Sequence, residues 1–383
     1  MKPSDPTRTR ENSITCAATG LVFRNPKPHL RSIHAWHPSA VRLEDGTIVC
    51  AFDLGEAVES LDYRTYISRS TDEGITWSLP TPLFIDTPEG LTTHLVRISR
   101  TKDGTLLGLG ARFHRDAHPG EGLVNRENLG YVPMDLLLLK SSDGGRQWDG
   151  PRSITPPLVG PSFEICHSIL ELPDGRWLAP MGTWKGWNGE APNGMKAIAL
   201  VSHDQGTTWP EYINVIDGYR DNIIHFEQSI TRLIDGRLLA VAWAYHEPTG
   251  KSLPTPYAIS ADQHSFSAPR LTGLRGQTAK IICLPDGRVL CLYRRDDKPG
   301  LWANLSRIEG DEWVDLSEAP MWQGAASGMT GQASGAEELG NLKFGFPNLV
   351  LLPGGDVFAV FWCREDCVFN IRWLRICVAK PSK

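Results

Sequence analysis

The stretch AVRLEDGTIV, residues 40–49, alternates apolar and polar side chains on both sides of an Asp-Gly pair. Such a pair between alternating runs is the strongest short signal for a β-hairpin, because the tight turn needs a positive φ. A related stretch without the Asp-Gly order, LLPGGDVF, covers residues 351–358. The Asp-Gly pairs that carry the pattern are Asp45-Gly46, Asp103-Gly104, Asp174-Gly175, Asp235-Gly236 and Asp286-Gly287.

Successive copies of this hairpin are 51 to 71 residues apart, which is room for one four-stranded sheet and its loops in each repeat. Sheets that cannot bury both faces alone must stack around a common axis. We therefore predict an all-β fold, a six-bladed β-propeller of four-stranded antiparallel blades. The propeller is expected to occupy residues 14–383, after a loose N-terminal tail at residues 1–13.

The composition excludes several classes of function. The net charge is −5 and no basic block occurs, so we expect no binding to nucleic acid. The longest apolar runs are too short to cross a bilayer, and the N-terminus has no apolar secretion signal. We expect a cytoplasmic protein without a membrane partner. Its eight cysteines are expected to be structural thiols, and its oligomeric state is left open.

A second motif follows the hairpins at residues 70–77, 142–148 and 202–209, and a degenerate copy lies at residues 260–266. The clearest copies, STDEGITW and SHDQGTTW, resemble the Asp-box of the sialidase superfamily, Ser-x-Asp-x-Gly-x-Thr-Trp. The resemblance runs through most of the chain and implies the same propeller fold. The aspartate of each box is expected to cap a tight turn rather than to act in catalysis.

The repeat also predicts where a functional site lies. Positions about eight residues before each turn belong to the innermost strands, so they should face one cavity on the axis. Polar groups at equivalent positions of several blades indicate a site. The residues read at these positions are Trp36, His37, His94, Glu164, Cys166, His167, His225, Glu227, Gln277, Thr278, Phe346 and Asn348.

Arginines at the ends of second strands add positive charge near the predicted cavity. The residues at these strand ends are Arg112, Arg294 and Arg364, and His114 lies two residues after Arg112. A guanidinium binds a carboxylate through two parallel hydrogen bonds. These arginines are therefore candidates for binding an acidic sugar, although solvated strand ends would explain them as well.

The sialidase resemblance implies a Tyr nucleophile, a Glu that polarises it, an Asp acid/base and three Arg. EQSITRLIDG, residues 227–236, matches the family segment that carries the Glu, so Glu227 takes that role. Asp62 is a looser match to the acid/base, with Asp53, Glu56 and Glu59 as alternatives. The chain departs from the family elsewhere: Trp36 stands at the first Arg position, the second falls near Trp243, and Phe346 replaces the nucleophile.

These observations favour a carbohydrate-active enzyme, a sialidase-like exo-glycosidase that hydrolyses a terminal acidic sugar by carboxylate and His chemistry. Two alternatives stay open: a lyase on a uronic-acid-containing oligosaccharide with a His base, and a non-catalytic carbohydrate-binding propeller. No cofactor is expected, although a metal held by several His is a further alternative. The predicted partner is a small sugar or oligosaccharide. The predicted catalytic residues are Glu227, Asp62, His37, His94 and His167; the predicted binding residues are Trp36, Arg112, His114, Glu164, His225, Gln277, Arg294 and Arg364.

Overall fold

The computed structural model describes residues 11–86, 89–324 and 343–380. The described residues form 26 β-strands in six antiparallel sheets, each with four strands in its main path. Within residues 12–86, 89–324 and 343–380, helical structure is limited to two 3-10 turns, Tyr219–Asp221 and Glu247–Thr249. The fold is a six-bladed β-propeller, which confirms the predicted fold class. Within the described ranges, no helix has the length and apolar character needed to cross a membrane.

Three blades come from the first half of the chain, and their strands are given from the axis outward. Blade 1 contains β2 (His34–Arg42), β3 (Ile48–Gly55), β4 (Arg64–Ser70) and β5 (Thr81–Pro82). Blade 2 contains β6 (Thr92–Arg100), β7 (Leu106–His114), β8 (Met134–Ser141) and β9 (Asp149–Ile154). Blade 3 contains the interrupted inner strand β10 (Ser162–Glu164) and β11 (Leu170–Glu171), then β12 (Trp177–Trp184), β13 (Ala197–Ser202) and β14 (Glu211–Ile216).

The second half of the chain forms the other three blades. Blade 4 contains β15 (Ile223–Arg232), β16 (Leu238–His246), the short β17 (Lys251–Leu253), β18 (Pro256–Ser260) and β19 (Arg270–Leu271). Blade 5 contains β20 (Gly276–Cys283), β21 (Val289–Arg295), β22 (Leu301–Glu309) and β23 (Glu312–Trp322). Blade 6 contains β24 (Phe344–Leu351), β25 (Val357–Glu365) and β26 (Val368–Val378), with β1 (Ile14–Phe23) as its outer strand.

Strand β1 closes the ring, because it is the first strand of the chain and pairs with the last, β26, along most of its length. Strand β1 begins at Ile14, and residues 1–10 of the predicted tail lie outside the described residues. Joining the two chain ends in one sheet leaves no gap between the first and last blades.

The hydrophobic core is divided among the contacts between neighbouring blades. Each of the six blade pairs shares one apolar cluster, such as Val41 and Ile67 against Val96 and Leu137 between blades 1 and 2. Alternation along each strand supplies apolar side chains to both faces of a sheet, and both faces are covered by the adjacent blades. The propeller is therefore held together by contacts between sheets rather than by one central core.

Both repeated motifs form the local turns that the sequence predicts. In the first hairpin the Asp45 carboxylate accepts the Thr47 amide at 2.9 Å, and Gly46 has a φ of 91°. In the first Asp-box, Asp72 accepts the amide of Thr76 at 2.9 Å as well as its hydroxyl. These hydrogen bonds lower the pKa of Asp72 to about 2. The Asp-box carboxylates thus accept hydrogen bonds from donors within their own turns. These turns lie on the face of the propeller opposite the starts of the inner strands.

Candidate functional site

Four inner strands contain a β-bulge at the same place. The register shifts within β2, β15, β20 and β24, and the bulge residues are His37, Glu227, Thr278 and Phe346, with φ between 43° and 54°. Each lies nine residues before the turn glycine of its own hairpin. A positive φ costs energy for a residue with a Cβ, and such strain concentrates at functional sites. All four side chains line one cavity on the propeller axis.

The cavity has a volume of about 230 Å³ and is bounded mainly by aromatic and aliphatic side chains. This volume suits a ligand smaller than a typical drug molecule. Tyr131 stacks on Trp184 with 5.4 Å between ring centroids, and Phe226 stacks on Trp243 at 4.5 Å. The remaining apolar wall residues are Trp36, Val58, Leu95, Phe113, Leu123, Val124, Leu129, Phe163, Ile165, Ile224, Tyr245 and Trp362.

Phe346 forms part of the cavity wall between two cations. The Arg97 guanidinium and the Lys280 ammonium each lie 5.1 Å from the centroid of its ring, and they come from blades 2 and 5 on opposite sides of the axis. Cations are attracted to the face of an aromatic ring. The position where the sialidase resemblance implies a Tyr nucleophile is thus an apolar ring with two positive charges close to it.

Glu164 and Glu227, two of the carboxyl groups that line this cavity, come from neighbouring blades and differ in their hydrogen bonds. Glu164 Oε2 accepts the backbone amide of Glu227 at 3.1 Å and the Cys166 thiol at 3.4 Å. Burial raises the pKa of Glu164, while the Lys280 charge opposes the rise. Glu227 Oε2 is buried without a hydrogen-bond partner among the described residues. Burial and then the Glu164 charge raise the pKa of Glu227 to about 7.

This difference makes Glu227, rather than Glu164, the carboxyl group that more readily carries a proton near neutral pH. Glu164 receives two donors and the nearby Lys280 charge, all of which favour its ionised form. Glu227 Oε2 has no donor among the described residues, and burial together with the Glu164 charge outweighs the opposing Lys280 and Arg294 charges, which favours the protonated form of Glu227. When the environments of two carboxyl groups separate their pKa values, the group with the higher pKa can act as an acid and the other as its anionic partner. Here these roles fall to Glu227 and Glu164.

The raised pKa of Glu227 gives a prediction for stability. A folded-state pKa above the unfolded value stabilises the protein below the unfolded pKa, and this stabilisation is lost as pH rises through about 7. Glu227→Gln removes this titration and should not show the loss. Between pH 4 and pH 8 the free energy of unfolding of the wild type should therefore fall by up to about 3 kcal/mol relative to that of the variant. Denaturant unfolding at both pH values measures this; equal changes in the two proteins would contradict the assignment.

A buried network lies beside the carboxyl pair and begins at Asp53 on β3. Asp53 is fully buried, and its Oδ2 accepts Arg97 Nη1 and the Tyr63 hydroxyl, each at 3.0 Å. Its other oxygen accepts the Thr65 hydroxyl at 2.6 Å. The same Tyr63 hydroxyl lies 2.7 Å from Nδ1 of His37. The network joins blades 1 and 2 and reaches the cavity through Tyr63, His37 and Arg97.

The Asp53–Arg97 pair should be essential for folding stability. Removing one partner of a buried ion pair leaves an uncompensated charge and typically costs about 3–5 kcal/mol. We expect Arg97→Met to lower the free energy of unfolding by about that amount. Arg100→Met on the same strand is the control, because Arg100 pairs with the exposed Glu44 and should change stability by less than about 1 kcal/mol. Similar denaturation midpoints for the two variants would refute the expectation.

Arg294 is the cavity cation with neutral hydrogen-bond partners. It is 1% exposed, its Nη1 donates to the Phe344 carbonyl at 2.8 Å, and its Nε donates to Gln277 Oε1 at 3.0 Å. Burial lowers the pKa of Arg294 to about 10, so it stays charged at neutral pH. No described carboxylate forms an ion pair with it, which leaves its charge available to a ligand in the cavity.

The structure brings together five of the predicted site residues around the cavity: Trp36, His37, Glu164, Glu227 and Arg294. Gln277 lies directly behind them and orients the Arg294 guanidinium. The other seven do not line the cavity, and each has a different local reason.

The prediction that His94 and His167 face the common cavity is corrected by the structure, because neither side chain lines it. Strand β6 has no bulge, so Leu95 and Arg97 line the cavity, whereas His94 points the other way and stacks on Phe84 at 4.3 Å. His167 lies where the inner strand of blade 3 is interrupted. Its Nδ1 bonds the Ser168 carbonyl at 2.7 Å, and its Nε2 accepts the Ile230 amide at 3.2 Å. It therefore links two blades.

Asp62 is likewise not in the cavity. Its carboxylate is exposed and accepts the Glu56 amide at 3.0 Å and the Ser60 hydroxyl at 2.5 Å, which fixes a loop. The carboxyl group of this loop that lines the cavity is Glu59, whose pKa burial raises. His225 is 5% exposed and lies behind the wall, with burial lowering its pKa to about 4.

The three remaining residues lie elsewhere on the blades. Arg112 makes a two-point ion pair with Asp86, at 2.9 and 2.6 Å, so its charge is already satisfied. His114 contacts Asp135 at 3.0 Å. Arg364 lies over Phe369 in blade 6, 5.8 Å from the ring centroid.

Sequence reasoning missed Tyr63, Arg97 and Lys280 as parts of the site. Arg97 and Lys280 each lie seven residues before a turn glycine, within a strand whose neighbours are apolar. A positively charged residue at the same distance from the turn in blades 2 and 5 was the sequence signal that could have identified Arg97 and Lys280. A metal is not favoured by the described residues, because none of their His, Cys, Asp and Glu form a group of three suited to holding an ion.

Comparison with known proteins agrees with the fold. No protein-family model matches the chain, and no curated protein matches it by sequence. A protein of unknown function from Dyadobacter fermentans has a TM-score of 0.75 and 21% identity, over 95% of this chain and 99% of that one. A mutant of NanB sialidase from Streptococcus pneumoniae has a TM-score of 0.64 and 12% identity, covering 94% and 70%. Trypanosoma rangeli sialidase has a TM-score of 0.61 and 12% identity, covering 96% and 58%. The chain thus has the six-bladed fold also found in sialidases.

Proposed function

We propose that the protein is a carbohydrate-active enzyme that hydrolyses the glycosidic bond of a terminal acidic sugar. The observation that carries this proposal is Glu227, a buried carboxyl group with a pKa of about 7 and an unpaired oxygen, beside the anionic Glu164. A general acid works best when its pKa lies near the working pH. The sialidase fold of structural neighbours supports the class of substrate by analogy only.

In the proposed reaction Glu227 donates its proton to the leaving-group oxygen as the glycosidic C–O bond breaks. Positive charge develops on the sugar ring, and the Glu164 carboxylate stabilises it electrostatically. A water molecule forms the new C–O bond and gives its proton to a base. Phe346 has no hydroxyl, so a covalent sugar intermediate on that residue is not part of this route.

The charges of the cavity support an acidic substrate. Arg294 has only neutral partners among the described residues, and its side chain lines the cavity. A sugar carboxylate beside it would form charge-assisted hydrogen bonds. The stacked aromatic pairs of the wall provide flat apolar surfaces for the faces of sugar rings. Together they suit one acidic sugar unit with its carboxylate at Arg294.

Elimination from a uronic-acid-containing sugar is a second candidate. It removes a proton next to a carboxylate, and it needs a base together with a cation that neutralises the carboxylate. His37 and Arg294 both line the cavity, which specifically favours this chemistry. The two reactions differ in their products, since only elimination creates a carbon–carbon double bond that absorbs ultraviolet light.

The test is a panel of matched aryl glycosides, with glucuronide against glucoside, galacturonide against galactoside, and a sialic acid glycoside, followed by acidic oligosaccharides. Release of the aryl group or of a reducing end from an acidic member, with the neutral partner turned over at least about 10²-fold less well, supports hydrolysis. Ultraviolet absorbance by the product indicates elimination. Saturable binding of an acidic sugar without any product would overturn the enzyme proposal in favour of a binding propeller.

A further inference from the structure

The hydroxyl of Tyr63 determines the protonation of His37. A tyrosine hydroxyl has one proton, and Tyr63 donates it to Asp53 Oδ2 at 3.0 Å. Its oxygen can then only accept from Nδ1 of His37, which lies 2.7 Å away. The His37 ring must therefore carry its proton on Nδ1. Its Nε2 is left as a hydrogen-bond acceptor.

Asp53 fixes this direction of the hydrogen bonds. Burial raises the pKa of Asp53, but the Arg97 guanidinium at 3.0 Å and the Thr65 hydroxyl at 2.6 Å oppose this rise, and both are donors that favour a carboxylate. An ionised Asp53 can only accept, so the Tyr63 hydroxyl cannot turn round to donate to His37. The order of donation runs from His37 through Tyr63 to Asp53. The arrangement resembles the use of a carboxylate to set a histidine tautomer, with a tyrosine inserted between them.

The surroundings of His37 keep its ring neutral. The charged groups that face it are Asp53, 3.8 Å from Nδ1, and Arg97 from blade 2. Blade 6 contributes uncharged rings, with Phe346 edge-on at 5.2 Å between centroids and Trp362 at 6.5 Å. Burial, followed by the Arg97 charge, lowers the pKa of His37 well below its usual value. The side chain is still 24% exposed, and it lines the cavity.

His37 and Glu227 hold equivalent positions on opposite sides of the ring. Both are bulge residues with positive φ, both lie nine residues before a turn glycine, and blades 1 and 4 are three steps apart in a ring of six. A proton donor and a proton acceptor therefore face the same cavity from opposite walls. Inverting glycosidases place their acid and base on opposite faces of the sugar.

We propose that His37 is the catalytic base of the reaction, with Tyr63 and Asp53 as positioning residues that hold the Nδ1–H tautomer. This inference rests on the hydrolytic function proposed above. The oxygen of a water molecule bonds to the anomeric carbon as the leaving group departs with the Glu227 proton. The water's proton passes to Nε2, while Nδ1–H keeps its hydrogen bond to Tyr63, and the low pKa of His37 favours rapid release of the acquired proton. Transfer of that proton through solvent to Glu227 restores the starting state, and the product has inverted configuration.

The tautomer can be measured without a substrate by NMR of protein with ¹⁵N-labelled histidine at neutral pH. The His37 signals are assigned as those missing in His37→Asn, because Asn tolerates a left-handed backbone. We expect protonated Nδ1 and bare Nε2 in the wild type. In Tyr63→Phe the proton should move partly or wholly to Nε2. The control Tyr66→Phe, three residues further along the chain on β4, should match the wild type. Protonated Nε2 in the wild type, or an unchanged spectrum in Tyr63→Phe, would overturn the proposal.

Kinetics on the substrate found by the glycoside panel give the second readout. We expect Tyr63→Phe to lower kcat on the order of 10²-fold with little change in KM, and His37→Asn to lower it at least as much. The anomer released first, followed by proton NMR, should be the inverted one. A retained configuration, or full activity in His37→Asn, overturns this assignment and leaves the proposed hydrolysis standing. Absence of turnover by the wild type overturns both.

Discussion

Glu227→Gln is expected to lower kcat by about 10³-fold while acidic sugars still bind. Glutamine keeps the size of the side chain and one carbonyl oxygen, but its amide protons are not acidic enough to protonate a leaving group. In the wild type the protonated form is active, so kcat/KM, which reports the pKa of the free enzyme, should fall as pH rises through about 7. This alkaline decline should disappear from the residual activity of the variant. Initial rates between pH 5 and pH 9 on the preferred substrate measure both effects.

Asp62→Asn is the matched control for this variant. Asp62 is the acid/base candidate from sequence, yet its carboxylate is exposed and fixes a loop. We expect its kcat to remain within about threefold of the wild type, in line with the small effects of most surface substitutions. A substrate with a nitrophenol leaving group needs little protonation and should restore much of the Glu227→Gln activity. Loss of activity in Asp62→Asn together with normal activity in Glu227→Gln would reverse the assignment.

The fold was predictable because its signals are local. The Asp-Gly turn at residues 45–46 and the Asp-box at residues 70–77 each close their hydrogen bonds within a few residues. A local turn forms in the same way wherever the chain carries it, and six copies at blade-like spacing allow few architectures.

The site was only partly predictable, because counting back from a turn assumes a regular strand. The count works for His37 and Glu227, which share the same bulge. It fails for His94, since β6 lacks the bulge, and for His167, since the inner strand of blade 3 is interrupted. An inserted bulge residue changes which side chains face the axis. No turn signal in the sequence reports such an insertion.

Contacts between distant segments were the other unpredictable part. Asp53 and Arg97 are 44 residues apart, and their pairing depends on how blades 1 and 2 stack. The loop before β4 similarly presents Glu59 rather than Asp62 to the cavity, because the Asp62 carboxylate is used by nearby backbone and side-chain donors. These choices arise from packing and from competition for hydrogen bonds. Spacing along the chain does not encode them.

Arg294→Met is expected to raise KM for the acidic substrate by about 10²-fold and to leave neutral sugars unaffected. The Arg294 guanidinium is held by Gln277 and by the Phe344 carbonyl, which orient it without cancelling its charge. A charge-assisted pair with a ligand carboxylate in a buried site contributes about 2–3 kcal/mol, which corresponds to this change in affinity. Methionine fills a similar volume but cannot bind the carboxylate.

Arg295→Met is the matched control, because it removes the next arginine on the same strand, whose side chain lies outside the cavity. The Arg295 guanidinium pairs with Asp297 at 2.6 Å and with Glu318, and it lies over Trp302 outside the cavity. Because that charge is already paired, KM for acidic and neutral sugars should both stay within about threefold of the wild type. An equal rise of KM in the two variants would indicate a general field effect. If Arg294→Met weakens neutral sugars as strongly as acidic ones, the residue shapes the cavity and another group binds the carboxylate.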